Sequence, residues 1–236
     1  MIVEVFIGVA QISRKDSGIT LHSKSKLYSL VLAILTLAIF VLLVYSLDIN
    51  KPSSLDIQVI EWVDQHAPNF LSGFLTLLTE AVTYWSIPIV VLIAMLWLGW
   101  RKRDLIGVII LPIAVAISEI LKGSIKDFFQ RPRPEINIAV DGTGFSFPSG
   151  HALVGLVCYG LIAYFLVKYT KRTIDKWIIS IIFILFIGLL GFNRIYFSVH
   201  YFTDIMAGYF LGLTILCVSI FIYESISELK IHKKNN

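Results

Sequence analysis

Six stretches of the chain are apolar at nearly every position, and the polar residues collect in the segments between them. They run from Leu27 to Leu47, Ala81 to Trp100, Leu105 to Ile125, Ala152 to Tyr169, Trp177 to Phe192 and Phe202 to Tyr223. An α-helix rises about 1.5 Å per residue, so roughly 20 such residues cross a hydrocarbon layer of about 30 Å. Each stretch therefore predicts a membrane-spanning helix, although the fifth is short unless it continues toward Tyr196. The second carries Pro88 near its outer end, and the third carries Pro112 and an acid, Glu119. The predicted architecture is all-α, an integral membrane six-helix bundle.

Between the first two spans the pattern changes. From Ser54 to Gln65, Leu55, Val59, Trp62 and Val63 share one helical face, with Asp56, Glu61 and Asp64 elsewhere. This predicts a helix lying in the outer interface with Trp62 at headgroup level. Six spans leave no length for a soluble domain. The expected organisation is a cytoplasmic segment 1–26, one six-span domain 27–223 and a cytoplasmic tail 224–236. Gly208 and Gly212 form a small-xxx-small pair, which points to close helix packing in the last span.

Composition agrees with the pattern: 57 % of residues are hydrophobic, and the mean hydropathy is +0.81. That excludes an ordinary soluble domain. Charge adds the orientation. Arg14, Lys15, Lys24 and Lys26, then Arg101 to Arg103, then Lys168, Lys171, Arg172 and Lys176, then Lys230, Lys233 and Lys234 all fall on one face. By the distribution of Lys and Arg, that face is cytoplasmic. The net charge of +4 follows from this topology and does not indicate nucleic acid, since no basic stripe with interleaved aromatics exists outside the loops. Cys158 and Cys217 fall inside predicted helices and read as packing residues. The N-terminal "MIVEVFIGVAQIS" is apolar but short and lacks a basic start, so a cleaved signal peptide is not expected.

The opposite face holds Lys51 in an acidic segment, and Lys122, Lys126, Arg131, Arg133 and Arg194 close to His151 and His200. These come from three clusters. "KDFFQRPRP" ends the third span. Pro132 and Pro134 stop the helix and impose an extended chain, in which Arg131 and Arg133 point to opposite sides, one inward and the other to headgroups or water. "PSGH" opens the fourth span. Gly150 permits a turn whose N–H groups can face an anion, Ser149 is placed to cap the helix, and the helix N-terminus adds partial positive charge. In the third cluster, "NRIYFSVHYFTD", His200 and Asp204 at i and i+4 share a helical face, where a carboxylate can fix which imidazole nitrogen stays free. Taken singly, the clusters also read as a basic membrane flank, a plain capped helix and a structural His–Asp pair. Together they gather cations, two histidines and one carboxylate. His151, His200 and Asp204 would make a passable metal-ligand set, but Lys126, Arg133 and Arg194 would repel a divalent cation. Those cations suit a phosphate dianion.

At these residues the chain resembles the type-2 phosphatidic acid phosphatase superfamily, which includes lipid phosphate phosphatases and vanadium-dependent haloperoxidases. Its motifs K-x6-R-P, P-S-G-H and S-R-x5-H-x3-D are met by Lys126 to Pro134, Pro148 to His151 and Asn193 to Asp204. Asn193 stands where the family usually has Ser, and Phe202 where bacterial members often have Pro. The resemblance implies that His200 is a nucleophile forming a phosphohistidine and that Asp204 orients it. It implies that His151 is the general acid and then the base for water, and that Lys126, Arg133, Ser149, Gly150 and Arg194 hold the phosphoryl oxygens. No metal or other cofactor is required.

The expected activity is hydrolysis of a terminal phosphate from a membrane lipid on the extracytoplasmic side of the plasma membrane. Undecaprenyl diphosphate is the leading cargo, with phosphatidylglycerol phosphate and phosphatidate as alternatives. Phe128, Phe129, Phe145, Phe147, Tyr196, Phe197 and Tyr201 ring the site at headgroup depth. A phosphotransferase would use the same residues, and a non-catalytic phospholipid carrier would need the cations without both histidines.

Overall fold

The computed structural model describes residues 18–135, 140 and 143–235. It contains eight α-helices in its described part: α1 (Gly18–Ser46), α2 (Ser54–His66), α3 (Leu71–Thr79), α4 (Ser86–Leu96), α5 (Leu105–Phe129), α6 (Gly150–Tyr169), α7 (Thr173–Tyr196) and α8 (Phe202–Asn235). Five helices are long and apolar enough to cross a membrane. A sixth span forms if α3 and α4 are joined with the short turns that follow each, as Leu71–Val82 and Ser86–Arg101, bent by 62°. The six-helix bundle of the sequence is therefore observed, with the second span entered ten residues earlier than the apolar run suggested. Ser72, Gly73, Thr76 and Thr79 dilute hydropathy there. The bend has a local cause: the Thr83 N–H donates to Ser86 Oγ at 2.9 Å and the Ser86 N–H to Thr83 Oγ1 at 3.3 Å, a reciprocal cap that restarts the helix.

The central helix is α6. Its span is 78 % buried against 22 % for that of α1. A helix apolar on all sides belongs inside a bundle, and α6 packs against α5, α7 and α8 while α1 lies along α8. Rows of exposed Ile and Leu on α1, α4, α5 and α7 supply the outward surface, as expected of helices solvated by lipid. Gly208 and Gly212 bear out the packing reading. A Cβ on Gly208 would lie 2.7 Å from Ser149 O, and one on Gly212 3.1 Å from Leu153 O, so α8 meets the backbone of α6 directly. Cys158 and Cys217 are buried and unpaired.

The end of the bundle away from the histidines has its own polar node. Asp104 caps α5 through the Gly107 N–H at 3.0 Å and accepts from Tyr169 and Tyr223, each at 2.7 Å. Glu224 accepts from Tyr164 and, at 2.8 Å, from Lys168. Helix α8 thus continues through residues read from sequence as a tail, and Lys26 of α1 pairs with Glu228 there.

Candidate active site

The site lies where α5 ends, α6 begins and α7 turns into α8. Gln130 closes α5 in the left-handed region, at φ 50°, its N–H donating to Lys126 O. The chain from Arg131 to Pro134 is then non-helical, as two prolines require. Backbone hydrogen bonds stitch the three clusters together: Ser146 N–H to Arg131 O at 2.9 Å, Glu135 N–H to Ser198 O at 2.9 Å and Ser149 N–H to Asp204 O at 3.0 Å.

A polar cavity of about 50 Å³ is lined by Val82, Glu119, Lys122, Lys126, Arg133, Gly150, His151 and His200. At about 10–15 Å³ per water on this measure, it has room for roughly four oxygen-sized atoms. Among the described residues no group of three or more His, Cys, Asp or Glu is arranged to hold a metal ion.

The orientation of His200 follows from its partners. Its Nε2 lies 3.0 Å from Nη1 of Arg133. A guanidinium only donates, so Nε2 is the acceptor: it is unprotonated, and its lone pair is turned toward Arg133. The proton sits on Nδ1, 3.4 Å from Asp204 Oδ2, a contact too long or misaligned for a hydrogen bond. Burial, followed by the charges of Arg133, Arg194 and Lys126, holds the imidazole well below its usual range. Contrary to the helical-face expectation, His200 lies in the turn before α8, and Asp204 in the first turn folds back to accept the Tyr201 N–H at 2.9 Å. His151 opens α6 with its Nε2 at 3.3 Å from the Thr79 carbonyl. That oxygen can only accept, so Nε2 bears a proton.

The remaining sequence-derived residues divide. Arg133 lines the cavity and also donates to the carbonyls of Thr143, Gly144 and Val199. Lys126 lines it as expected, and Lys122 and Glu119 join it as an ion pair. Arg194 is fully buried, donating to Val140 O at 2.6 Å, with its charge acting on both histidines. Ser149 occupies the N-cap position but makes no capping bond. Its N–H and C=O serve Asp204 O and Leu153 N–H, and its buried Oγ has no hydrogen-bond partner among the described residues. Gly150 is helical, so it is not needed for a special turn. A Cβ there would sit 2.7 Å from Cδ of Lys122, so its role is room.

The alternation left open which of Arg131 and Arg133 turns inward. Arg131 is wholly buried, with Nη1 2.6 Å from Asp204 Oδ1 and Nη2 3.0 Å from Asp56 Oδ2, while Arg133 lines the cavity. Asp56 is likewise buried. Helix α2 turns Asp56, Val59, Ile60 and Val63 inward and leaves Leu55 and Trp62 exposed. Periodicity grouped the apolar residues and so missed a carboxylate on the packed face.

With this geometry in hand, comparison with known proteins is decisive: the family model described as PAP2 superfamily matches residues 107–227. The chain belongs to that superfamily. It is 34 % identical over 129 residues to phosphatidylglycerophosphatase B of Bacillus subtilis (strain 168), a match covering 54 % of this chain and 62 % of that protein's length. It is 27 % identical over 204 residues to undecaprenyl-diphosphatase of Sulfolobus acidocaldarius, covering 85 % of this chain and 92 % of the relative. The crystal structure of a transmembrane PAP2-type phosphatidylglycerolphosphate phosphatase from Bacillus subtilis superposes with a TM-score of 0.73 at 26 % identity, over 82 % of this chain and 96 % of that one. Aquifex aeolicus LpxE shares the fold, with a TM-score of 0.57 at 22 % identity, over 71 % and 96 % of the two chains.

Within the PAP2 pattern, the Asn193 departure has a larger structural role than a polar substitute would. Asn193 is fully buried, accepts from Thr79 Oγ1 at 3.1 Å and donates to the Leu75 carbonyl, so it fastens α7 to α3. Phe202 opens α8 and packs with Met206 in a small apolar cluster beside α2.

Proposed function

We propose that this PAP2 protein hydrolyses the terminal phosphate of a membrane lipid phosphate or diphosphate through a phosphohistidine. One observation carries the reading: the Nε2 lone pair of His200 meets Arg133 at the wall of a cationic cavity that His151 shares. In the first step Nε2 of His200 attacks phosphorus, the bond from phosphorus to the leaving oxygen breaks, and His151, in the imidazolium form that the bound phosphate dianion favours, gives that oxygen a proton and becomes neutral. In the second, His151 takes a proton from water, whose oxygen attacks phosphorus, breaking the P–N bond and releasing phosphate. Lys126, Arg133, Arg194, the Ser149 hydroxyl and the backbone at Gly150 neutralise the equatorial oxygens, where phosphoryl transfer needs most support. Asp204 stabilises the positive ring. Splitting hydrolysis into two displacements lowers each barrier.

The preferred cargo is undecaprenyl diphosphate, met on the extracytoplasmic face of the plasma membrane. The basic turns at Arg101 to Arg103 and Lys168 to Lys176 favour that orientation, and the relative matched over most of its length is an undecaprenyl-diphosphatase. Phosphatidylglycerophosphate is the second reading, favoured by the Bacillus relative and structure; phosphatidate, or transfer to another lipid, would use the same residues. Phosphate release by purified protein in detergent with EDTA, against these three lipids, tests the reading. Release from at least one supports it and ranks the cargo. Binding without release from any would leave a carrier.

A further inference from the structure

We propose that Asp56 is a positioning residue for the histidine chemistry: through Arg131 it fixes the carboxylate of Asp204, and with it the ring of His200. The inference rests on the histidine reading above, and Asp56 lies outside the segment matched by the family model.

The geometry is a chain of buried groups. Asp204 divides its two oxygens, Oδ1 to Arg131 at 2.6 Å and Oδ2 to the Tyr201 N–H at 2.9 Å, with His200 Nδ1 at 3.4 Å beyond it. The plane of that carboxylate, and so the direction it offers His200, depends on where Arg131 holds it. Arg131 is held by its other nitrogen, Nη2, on Asp56 Oδ2 at 3.0 Å, and its guanidinium lies 4.4 Å from the centre of the Tyr201 ring. Asp56 is fixed in turn. It forms a capping box with Ser53 at the start of α2, accepting the Ser53 N–H at 3.0 Å. It also accepts the Thr203 N–H at 2.9 Å and the Thr203 hydroxyl at 3.0 Å, so it grips the first turn of the helix that carries Asp204.

Asp56, Arg131 and Asp204 are all 0 % exposed. Burial by itself raises a carboxyl, but the hydrogen bonds from Thr203 and Ser53 outweigh it and hold Asp56 below its ordinary range. It is therefore a full negative charge balancing Arg131. Two carboxylates on one guanidinium leave the trio net negative beside His200. That is the charge required when His200 becomes positive in the phosphohistidine. A pair whose only role was folding would not need to share an oxygen-by-oxygen fork with the residue beside the nucleophile.

The test uses the full-length protein in detergent. Asp56→Asn keeps the shape and removes the charge, leaving Arg131 on Asp204 alone, and adding Arg131→Gln in a double variant removes that remaining tie as well. We expect the folded variants to lose kcat by roughly ten- to a hundredfold, the scale of misplacing a reacting group. KM and the inhibition constant of inorganic phosphate should stay within about threefold, because the cavity cations are untouched. A kcat within twofold of wild type in either folded variant would overturn the proposal. So would a loss of phosphate affinity equal to the loss of kcat, which marks a collapsed cavity, and so would failure of both variants to fold, which makes Asp56 a folding residue. His200→Ala is measured alongside. If it retains turnover, the histidine reading fails whatever Asp56 does. If it is inactive while Asp56→Asn is normal, only the positioning role fails.

Discussion

Nη1 of Arg133 stands 3.0 Å from Nε2 of His200, so a permanent cation faces the atom assigned to attack phosphorus. The arrangement keeps that nitrogen unprotonated and places an oxyanion partner next to it. Both are useful to a nucleophile that must meet a dianion.

The first prediction concerns the charge of His200. The groups facing it are Arg133, Arg194, Lys126 and His151, which oppose protonation, and Asp204, which favours it. Burial acts with the first set. The ring should remain neutral as pH falls through about 6.5, the usual histidine value, and accept a proton only well below it. The sign for stability follows: the unfolded chain binds a proton near that value and the folded chain does not, so this group's contribution is full above it and is lost as pH falls below it. Nitrogen-15 NMR of histidine-labelled protein, with the His200→Gln variant to assign the signal, reads the titration. A midpoint at or above the ordinary value contradicts the prediction.

The two histidines should fail differently. His200→Ala should abolish phosphate release in a folded protein. His151→Ala should slow poor leaving groups far more than aryl phosphates, because a good leaving group needs little protonation. Steady-state kinetics on a lipid phosphate and an aryl phosphate separate the cases, and equal losses across leaving groups would remove His151 from the acid role.

Asn193→Ser restores the usual family residue but is too short to span from α7 to both Thr79 and Leu75. Leaving a buried carbonyl or hydroxyl unsatisfied costs about 1–3 kcal/mol. The variant should therefore melt several degrees lower in detergent, with kcat less affected than stability. An unchanged melting temperature would show that the α3–α7 tie is dispensable.

Gly208→Ala tests the α6–α8 approach. Its Cβ would lie 2.7 Å from a backbone oxygen and 2.9 Å from Ala152 Cβ. Neither is a flexible tip, so the helices must part, at a cost of roughly 1–3 kcal/mol. The separation would also disturb Ser149, and we expect both a lower melting temperature and weaker inhibition by inorganic phosphate. Wild-type values for both would mean the helices adjust freely.

Sidedness can be read with thiols. Cys158 and Cys217 are buried, so background labelling should be low. Thr143 and Thr173 are exposed and lie at opposite ends of the bundle. Thr143→Cys should react with a membrane-impermeant reagent in intact cells or spheroplasts, and Thr173→Cys only after the membrane is opened. The reverse pattern would place the cavity in the cytoplasm and exclude an outer-leaflet carrier lipid.

The parts legible in the sequence are those written in short-range pattern. Apolar runs of helix-spanning length marked the bundle, and the spacing from Lys126 to Asp204 marked residues that do converge. The parts that were not legible depend on partners far along the chain. Asp56 looked like one more acid on a polar helix face, because the arginine that buries it is 75 positions away. The alternation of an extended strand put Arg131 and Arg133 on opposite sides, but it could not say that two distant carboxylates wait for Arg131. Asn193 reads from sequence as a polar residue in place of Ser and so as a modest change, because its partner Leu75 lies 118 positions off. For Gly150, the reason is a neighbour on α5 and not the backbone of its own turn.

The stitches between the clusters, Ser146 to Arg131, Glu135 to Ser198 and Ser149 to Asp204, run from main chain to main chain. Their strength does not depend on which side chains project from Glu135 or Ser198. Exposed Glu135 can therefore be replaced without loosening its stitch, whereas Ser198, buried and held at φ 50°, is confined to residues that accept the left-handed region. The register of the three clusters is thus a property of the main chain, and it survives exchange of the exposed side chain above it.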